Sequence, residues 1–266
     1  MVVFTSNGKH VQKRPFNPFR EWQAFWLAVG FLTRIPMLAR IDYSQRLMNQ
    51  SSLYFPLVGL LLGAIYSVTF SALQLWFAPV VSILLVITLH LWITGAFHED
   101  GLADSVDALG GGYTVEKRLA IMKDSRIGTY GTVALVMALG LKAALLLETP
   151  SVWLALLLAP AVSRLTPLLL MGYLPYVTDI NQSKSKPVAD GFSRQRLMLA
   201  VAFTTTVATM VSFWQQSLLL WCLLATLGVA LLWGRYLRSQ LGGYTGDTLG
   251  ASVVLSELVL LLLLSV

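Results

Sequence analysis

Charge is scarce in this sequence. Only 12% of its 266 residues are Asp, Glu, Lys or Arg, against roughly 25% in an ordinary soluble domain, and that shortage excludes a water-soluble globule. Cysteine occurs once, as Cys222 in an apolar run, so no disulfide framework exists. One cysteine and three histidines, none of them clustered, leave no ligand set for zinc. The N-terminus lacks a short apolar run followed by a cleavage site, and no signal peptide is expected; residues 1–21 form a polar, basic tail. In place of charge there is hydrocarbon. The chain is 56% hydrophobic with a mean hydropathy of +0.69, the composition of an integral membrane protein.

Seven apolar stretches are long enough, or nearly so, to cross a hydrocarbon layer of about 30 Å: Leu53–Phe77, Val80–Phe97, Tyr130–Leu147, Val152–Leu170, Leu197–Phe213, Leu218–Trp233 and Thr248–Leu264. A shorter run, Trp22–Leu32, ends at Thr33-Arg34-Ile35-Pro36 and reads as an interfacial or re-entrant helix. The expected fold is therefore all-α, a polytopic bundle of about seven transmembrane helices plus that short helix, in one membrane domain spanning residues 1–266. Gly59 and Gly63 bracket three leucines, a spacing that suits close helix packing.

The connections alternate in character. Three are tiny and carry no Lys or Arg, near Ala78-Pro79, near Thr149-Pro150-Ser151 and at Trp214–Ser217. The others carry seventeen of the nineteen basic residues, including Lys9, Lys13 and Arg14 in the tail, Lys184 and Lys186 in the segment 171–196, and Arg235 and Arg238 before the last span. The positive-inside rule puts that side in the cytoplasm, with the N-terminus inside and the C-terminus outside. The formal net charge of +6 thus sets orientation, and nucleic acid is not an expected partner. The basic side also carries the long loops and the acid clusters, so the site belongs on the cytoplasmic face.

Four of the thirteen acidic residues, Glu99, Asp100, Asp104 and Asp107, fall within nine positions. Spacings of three and four bring Asp100, Asp104 and Asp107 to one side of a helix. Carboxylates that close repel one another and call for a cation between them. Oxygen ligands in small number suit Mg²⁺, which keeps waters and takes phosphate oxygens as further partners. A plain reading, acids favouring a helix start, accounts for two such residues better than for four.

Gly110-Gly111-Gly112 follows, then Lys117-Arg118, then Lys123-Asp124-Ser125-Arg126. Glycines let backbone N–H groups approach an anion, and Lys and Arg supply phosphate contacts. Carboxylates, a glycine turn and cations in that order fit a metal–diphosphate site, although a flexible loop with ordinary basic residues remains open. A second glycine-rich turn, Gly242-Gly243-Tyr244-Thr245-Gly246-Asp247, precedes the last span; Asp247 is either a cap for that helix or a further ligand. Glu257 lies about 15 Å deeper along the same helix. Buried acids of that kind are costly, and Lys142 and Arg164 are its candidate partners, in a structural ion pair or otherwise.

Phe97–Gly112, Glu116-Lys117-Arg118, Met122–Gly128 and Gly242–Asp247, together with Phe31–Pro36 and Phe55–Gly59, resemble the cobalamin 5′-phosphate synthase (adenosylcobinamide-GDP ribazoletransferase) family from Phe31 to Glu257. The resemblance implies a multi-pass enzyme of the bacterial inner membrane that joins adenosylcobinamide-GDP to α-ribazole or its 5′-phosphate and releases GMP. It also implies a requirement for Mg²⁺ and a place in the last steps of cobalamin synthesis. Self-association, or association with other enzymes of that pathway, stays open. On this reading Asp100, Asp104, Asp107 and Asp247 hold Mg²⁺. Lys117, Arg118, Lys123 and Arg126, with Arg34 and the Gly110–Gly112 turn, hold the donor's diphosphate, and Asp124 or Glu99 serves as general base. Two rivals are a CDP-alcohol phosphatidyltransferase, whose D-x₂-D-G-x₂-A-R pattern this chain lacks at its arginine, and a transporter with Lys142, Arg164 and Glu257 lining an ion path.

Overall fold

The computed structural model describes residues 17–177, 194–211 and 216–266. Lys9, Lys13, Arg14, Lys184, Lys186 and the Trp214-Gln215 part of one connection lie outside the described residues. Among those described, regular structure is helical apart from one isolated bridge between Tyr176 and Tyr244.

The chain opens with α1 (Pro18–Leu32), α2 (Gln45–Ser51) and a 3₁₀ turn at Ser52–Tyr54 leading into α3 (Phe55–Leu73). Then follow α4 (Pro79–Thr94), α5 (Phe97–Gly111), α6 (Val115–Met122), α7 (Thr129–Glu148), α8 (Val152–Ser163) and α9 (Leu165–Tyr173). The last three are α10 (Arg194–Val211), α11 (Gln216–Leu241) and α12 (Gly246–Leu264). Local chemistry sets several starts: Asn17 accepts from Phe19 N–H and Arg20 N–H ahead of α1, and proline stands at the first turn of α1, α3 and α4, where no N–H is missed.

The fold is the expected all-α membrane bundle. Among the described residues, five helical runs are long and apolar enough to cross a membrane, and the bent pair α4–α5 makes a sixth if counted as one. The part of the stretch expected at Leu197–Phe213 that is described, as far as Val211, falls in α10, which carries two arginines and four threonines in its 18 residues. The Val80–Phe97 stretch is interrupted at Gly95-Ala96, and α11 continues beyond Trp233 to Leu241, taking Arg235 and Arg238 into helix. The segment 98–129, a loop by its position between spans, is folded into α5 and α6.

The α8–α9 run sits at the centre of the bundle, nearly all of it buried. Close packing makes that possible. Gly59 and Gly63 of α3 lie directly against the main chain of α8 at Pro160 and Leu157, as their spacing suggested, and a Cβ at Gly63 would also stand 2.8 Å from the Leu156 carbonyl. On the outside, Glu21 of α1 pairs with Arg196 of α10 at 2.7 Å and accepts the Tyr54 hydroxyl at 2.8 Å, tying the N-terminal helices to α10. Because backbone rather than a flexible side chain opposes Gly63, Gly63→Val should destabilise the protein by about 1–3 kcal/mol or more. The expected readout is a lower thermal denaturation midpoint in detergent, with Gly140→Val, where space is open, as the mild control.

Candidate active site

The site begins at a break. Gly95 and Ala96 both take left-handed backbone, with φ of 67° and 55°, and α5 leaves α4 at 85°. Ala96 is the only non-glycine residue in that region of φ among those described, a conformation strained for a residue with a Cβ. Arg34 stays beside the break: its N–H donates to the Ile93 carbonyl at 2.7 Å and its guanidinium lies over Gly95.

Turned by this bend, α5 crosses the start of α12. The two backbones nearly touch, since a Cβ on Gly101 would stand 2.7 Å from the Asp247 carbonyl and 3.2 Å from the Gly250 Cα. Asp100 is exposed, while Asp104 and Asp247 are half-buried, and the charge on Asp104 is opposed by those of Asp100, Asp247 and Asp107. Capping does not explain Asp247. Thr245 caps α12, its hydroxyl accepting from Thr248 N–H at 3.2 Å while the Thr248 hydroxyl accepts from Thr245 N–H at 2.8 Å. The donors in this group are hard carboxylate oxygens, which fit Mg²⁺. Among the described residues no three acidic, histidine or cysteine side chains enclose an ion by themselves, so a cation here would complete its shell with water and substrate phosphate.

Asp107 is differently employed. It is buried, and its two oxygens accept from Gly128 N–H at 2.7 Å and Gly131 N–H at 2.8 Å. These are unpaired donors at the N-terminus of α7, and a negative charge there is favoured by the helix dipole. A Cβ at either glycine would run into that carboxylate. Asp107 therefore docks α7 onto α5.

The basic residues divide in the same way. Gly110 and Gly111 are in the last turn of α5 and Gly112 caps it, its N–H bonded to the Ala108 carbonyl; the glycines end a helix rather than form an open anion loop. Arg118 donates to the Gly112 carbonyl at 2.9 Å and the Gln240 carbonyl at 2.6 Å, which pins α6 to α11. Lys117 and Lys123 are exposed at the two ends of α6. Asp124 and Arg126 form a forked pair, Nη2 to Oδ2 at 2.7 Å and Nε to Oδ1 at 3.0 Å. Those hydrogen bonds from Arg126 hold the Asp124 carboxyl down at about 2, so it is already ionised and satisfied at neutral pH, a poor proton acceptor.

Glu99 does not join the carboxylate face. One residue before Asp100, it is turned about 100° around α5 and buried, with Oε1 2.9 Å from His90 Nε2. His90 Nδ1 is in turn 3.0 Å from the Tyr66 hydroxyl. Deeper, Lys142 of α7 pairs with Glu257 of α12 at 3.0 Å, the structural ion pair that the sequence allowed. Arg164, at the break between α8 and α9, is 1% exposed; Nη1 donates to the Pro160 carbonyl at 2.7 Å, while Nε and Nη2 have no partner.

With this geometry in view, the comparisons decide the relationship. The profile of the family described as cobalamin-5-phosphate synthase matches residues 24–265. The chain belongs to the cobalamin-5-phosphate synthase family. Among its relatives is the adenosylcobinamide-GDP ribazoletransferase of Vibrio parahaemolyticus, 43% identical over 92% of both chains. Proteins of the same name from Shewanella pealeana (44% identical over 93% of this chain and 98% of the relative) and Vibrio cholerae (45% over 92% and 94%) are equally similar. No solved structure matches the chain.

In this synthase-family member, sequence reasoning missed a cleft beside the α5–α12 crossing, walled by Phe31, Phe55 and Phe97 and reaching His98, Arg164 and Tyr244. The only signal was that Phe31 and Phe55 open the two N-terminal segments that carried the family resemblance. It also missed Gly128 and Gly131 as the partners of Asp107. Replacing Asp107 with Ala strands two amide donors and should destabilise the protein by about 1–3 kcal/mol, seen as a lower denaturation midpoint in metal-free buffer. Asp100→Asn, which removes a repelling charge, should leave that midpoint unchanged or raise it. The pinned state of Asp124 predicts that Asp124→Asn keeps the wild-type shape of the pH–rate profile between about pH 5 and 9.

Proposed function

We propose that this chain transfers the adenosylcobinamide phosphate group of adenosylcobinamide-GDP to α-ribazole or α-ribazole 5′-phosphate, releasing GMP, with Mg²⁺ required, as a last step of cobalamin assembly. The observation that carries the proposal is the close approach of α5 to the start of α12 at Gly101, which sets the acidic stretch of α5 beside Asp247. The near full-length similarity to ribazoletransferases supports it. By the positive-inside rule this face lies on the cytoplasmic side of a bacterial inner membrane.

Attack of a ribazole hydroxyl on the cobinamide-side phosphorus forms one P–O bond and breaks the P–O bond to GMP, the hydroxyl proton passing to water. Catalysis of such transfers is mostly positioning and charge stabilisation. Asp100, Asp104 and Asp247 would hold Mg²⁺, which when bound neutralises charge on the diphosphate. Asp107 supports this face from behind by fixing α7 against α5. Lys117 and Lys123, exposed on α6, are free to reach phosphate oxygens. Arg118 keeps α6 in place through two carbonyls. Arg126 is shared with Asp124, so its contribution to the diphosphate requires that pair to open. Arg34, beside the α4–α5 break, approaches from the N-terminal segment. Glu99 is enclosed with His90 and serves the orientation of α5 on α4 rather than proton transfer. The intramembrane charges on which a transporter would depend are engaged with each other at Lys142–Glu257.

Purified protein should form GMP from adenosylcobinamide-GDP only when α-ribazole or its phosphate and Mg²⁺ are both present. Asp104→Asn should lower that rate by about 10²-fold or more, with higher Mg²⁺ recovering part of it. GMP release that ignores the acceptor, or wild-type rates for Asp104→Asn at limiting Mg²⁺, would overturn the reading.

A further inference from the structure

Apart from Arg34, the N-terminal segment has no part in the transfer scheme, yet it builds a surface of its own. Its helix α1 does not run alongside α3 but crosses it. Glu21, in the first turn of α1, accepts the Tyr54 hydroxyl and pairs with Arg196 at the start of α10. Phe31, about 15 Å further along α1, stacks on Phe55 at 5.9 Å and meets Phe97, beyond the α4–α5 break, at 5.3 Å. Tyr54 and Phe55 are neighbours where α3 begins. A helix that touches both over such a length lies across the membrane helices, in the plane of the bilayer surface. The start of α3 and the end of α4, which it joins, are on the basic side of the bundle.

Residues 33–43 then return along α1 without helical structure. Met37 lies against Gly30, where a Cβ would stand 2.6 Å from its Sδ, and the Arg40 carbonyl accepts from Gln23 Nε2 at 3.1 Å. Seven residues of helix are thus matched by three of extended strap, roughly 10 Å in each case. Bulky apolar side chains stay uncovered, Phe19 and Trp22 on α1 and Met37, Leu38 and Tyr43 on the strap, with Leu38 78% exposed. Cations accompany them. Arg40 is exposed on the strap, Arg46 is exposed in the first turn of α2, and Arg20, half-buried, is one turn of α1 from the glutamine that holds Arg40. No carboxylate among the described residues pairs with any of the three; the strap's own acid, Asp42, is exposed.

Water would leave that apolar area unfavourably exposed, and the hydrocarbon core would not tolerate the irregular backbone of the strap. The headgroup layer satisfies both, because aromatic rings and arginines gather there. A protein partner would have to displace lipid to reach a helix at this depth. Charge then selects the lipid, since the arginines are best served by a phosphate that no ammonium group already balances. We propose that α1 and the strap form a binding surface for anionic phospholipid headgroups, with Arg20, Arg40 and Arg46 on the phosphates and Phe19, Trp22 and Leu38 at the acyl boundary. The surface is joined to the α4–α5 break through Arg34, whose N–H donates to the Ile93 carbonyl. It does not depend on the transfer chemistry, and lipid binding is read without substrate.

The test uses full-length protein in non-ionic detergent, titrated with phosphatidylglycerol or phosphatidylcholine and followed by native mass spectrometry. The wild type should bind phosphatidylglycerol more tightly. Arg20→Gln, Arg40→Gln and Arg46→Gln should each lower that affinity about fivefold and the triple variant about 10²-fold, with phosphatidylcholine binding unchanged. Arg235→Gln, exposed on α11, should cost less than any of the three. A second measurement needs no arginine variant. In nanodiscs, brominated phosphatidylglycerol should quench Trp22, taken as the difference between wild type and Trp22→Phe, more than brominated phosphatidylcholine does at the same mole fraction. Equal wild-type affinity for the two lipids, undiminished phosphatidylglycerol binding by the folded triple variant, or equal quenching of Trp22 overturns the proposal and leaves the surface to a protein partner.

Discussion

Everything functional in this molecule depends on how closely α5 approaches α12. The crossing is made at Gly101 and Gly250, where neither helix presents a side chain and the Asp247 carbonyl closes on Gly101. A Cβ at position 101 would push the helices apart. At this separation Asp247 is set beside the acidic stretch of α5, and Phe97 and His98 of α5 line a cleft with Tyr244, Gly246 and Leu249. An acidic face and an apolar cleft thus adjoin one contact. The bend that delivers α5 to it is built from two successive left-handed residues, one of them an alanine, so strain is concentrated next to the site. Asp107, bonded to the α7 amides, holds the other end.

A second constraint is charge neutrality inside a low-dielectric bundle. Among the described residues three acids, Glu99, Asp107 and Glu257, and two bases, Lys142 and Arg164, are buried. Isolated, each would be strongly disfavoured. Lys142 and Glu257 meet directly, and Glu99 is matched by His90. Arg164 gives one hydrogen bond to a helix carbonyl, and its other two nitrogens are buried without a partner.

Much of this was legible in the residues themselves. The apolar runs marked the helices, because hydrocarbon leaves a backbone few alternatives. The Asp100–Asp104–Asp107 spacing fixed the arc those side chains share on α5, and Gly59 and Gly63 marked the packing against α8. Other residues are engaged in ways that spacing cannot carry. Glu99 is adjacent to Asp100 in sequence but lies a quarter-turn or more around the helix, where His90 happens to be. The Gly110–Gly112 run looks like an anion loop but closes a helix. Arg118 and Asp124 look available until their partners, Gln240 across the fold and Arg126 two residues on, are seen to occupy them.

The sequence by itself determined the class of molecule, the positions of its helices, the family and the chemical type of the acidic face. Those properties follow from hydropathy and from periodicity along one chain, which neighbours in sequence specify. Only the tertiary structure decided which acids face a partner helix and which are consumed in docking. It also brought Phe31, Phe55 and Phe97 together around a buried arginine. Residues so distant in sequence meet only through helix crossings, and the position of a crossing is set by where two surfaces are small enough to touch, a property of the pair and of neither helix alone.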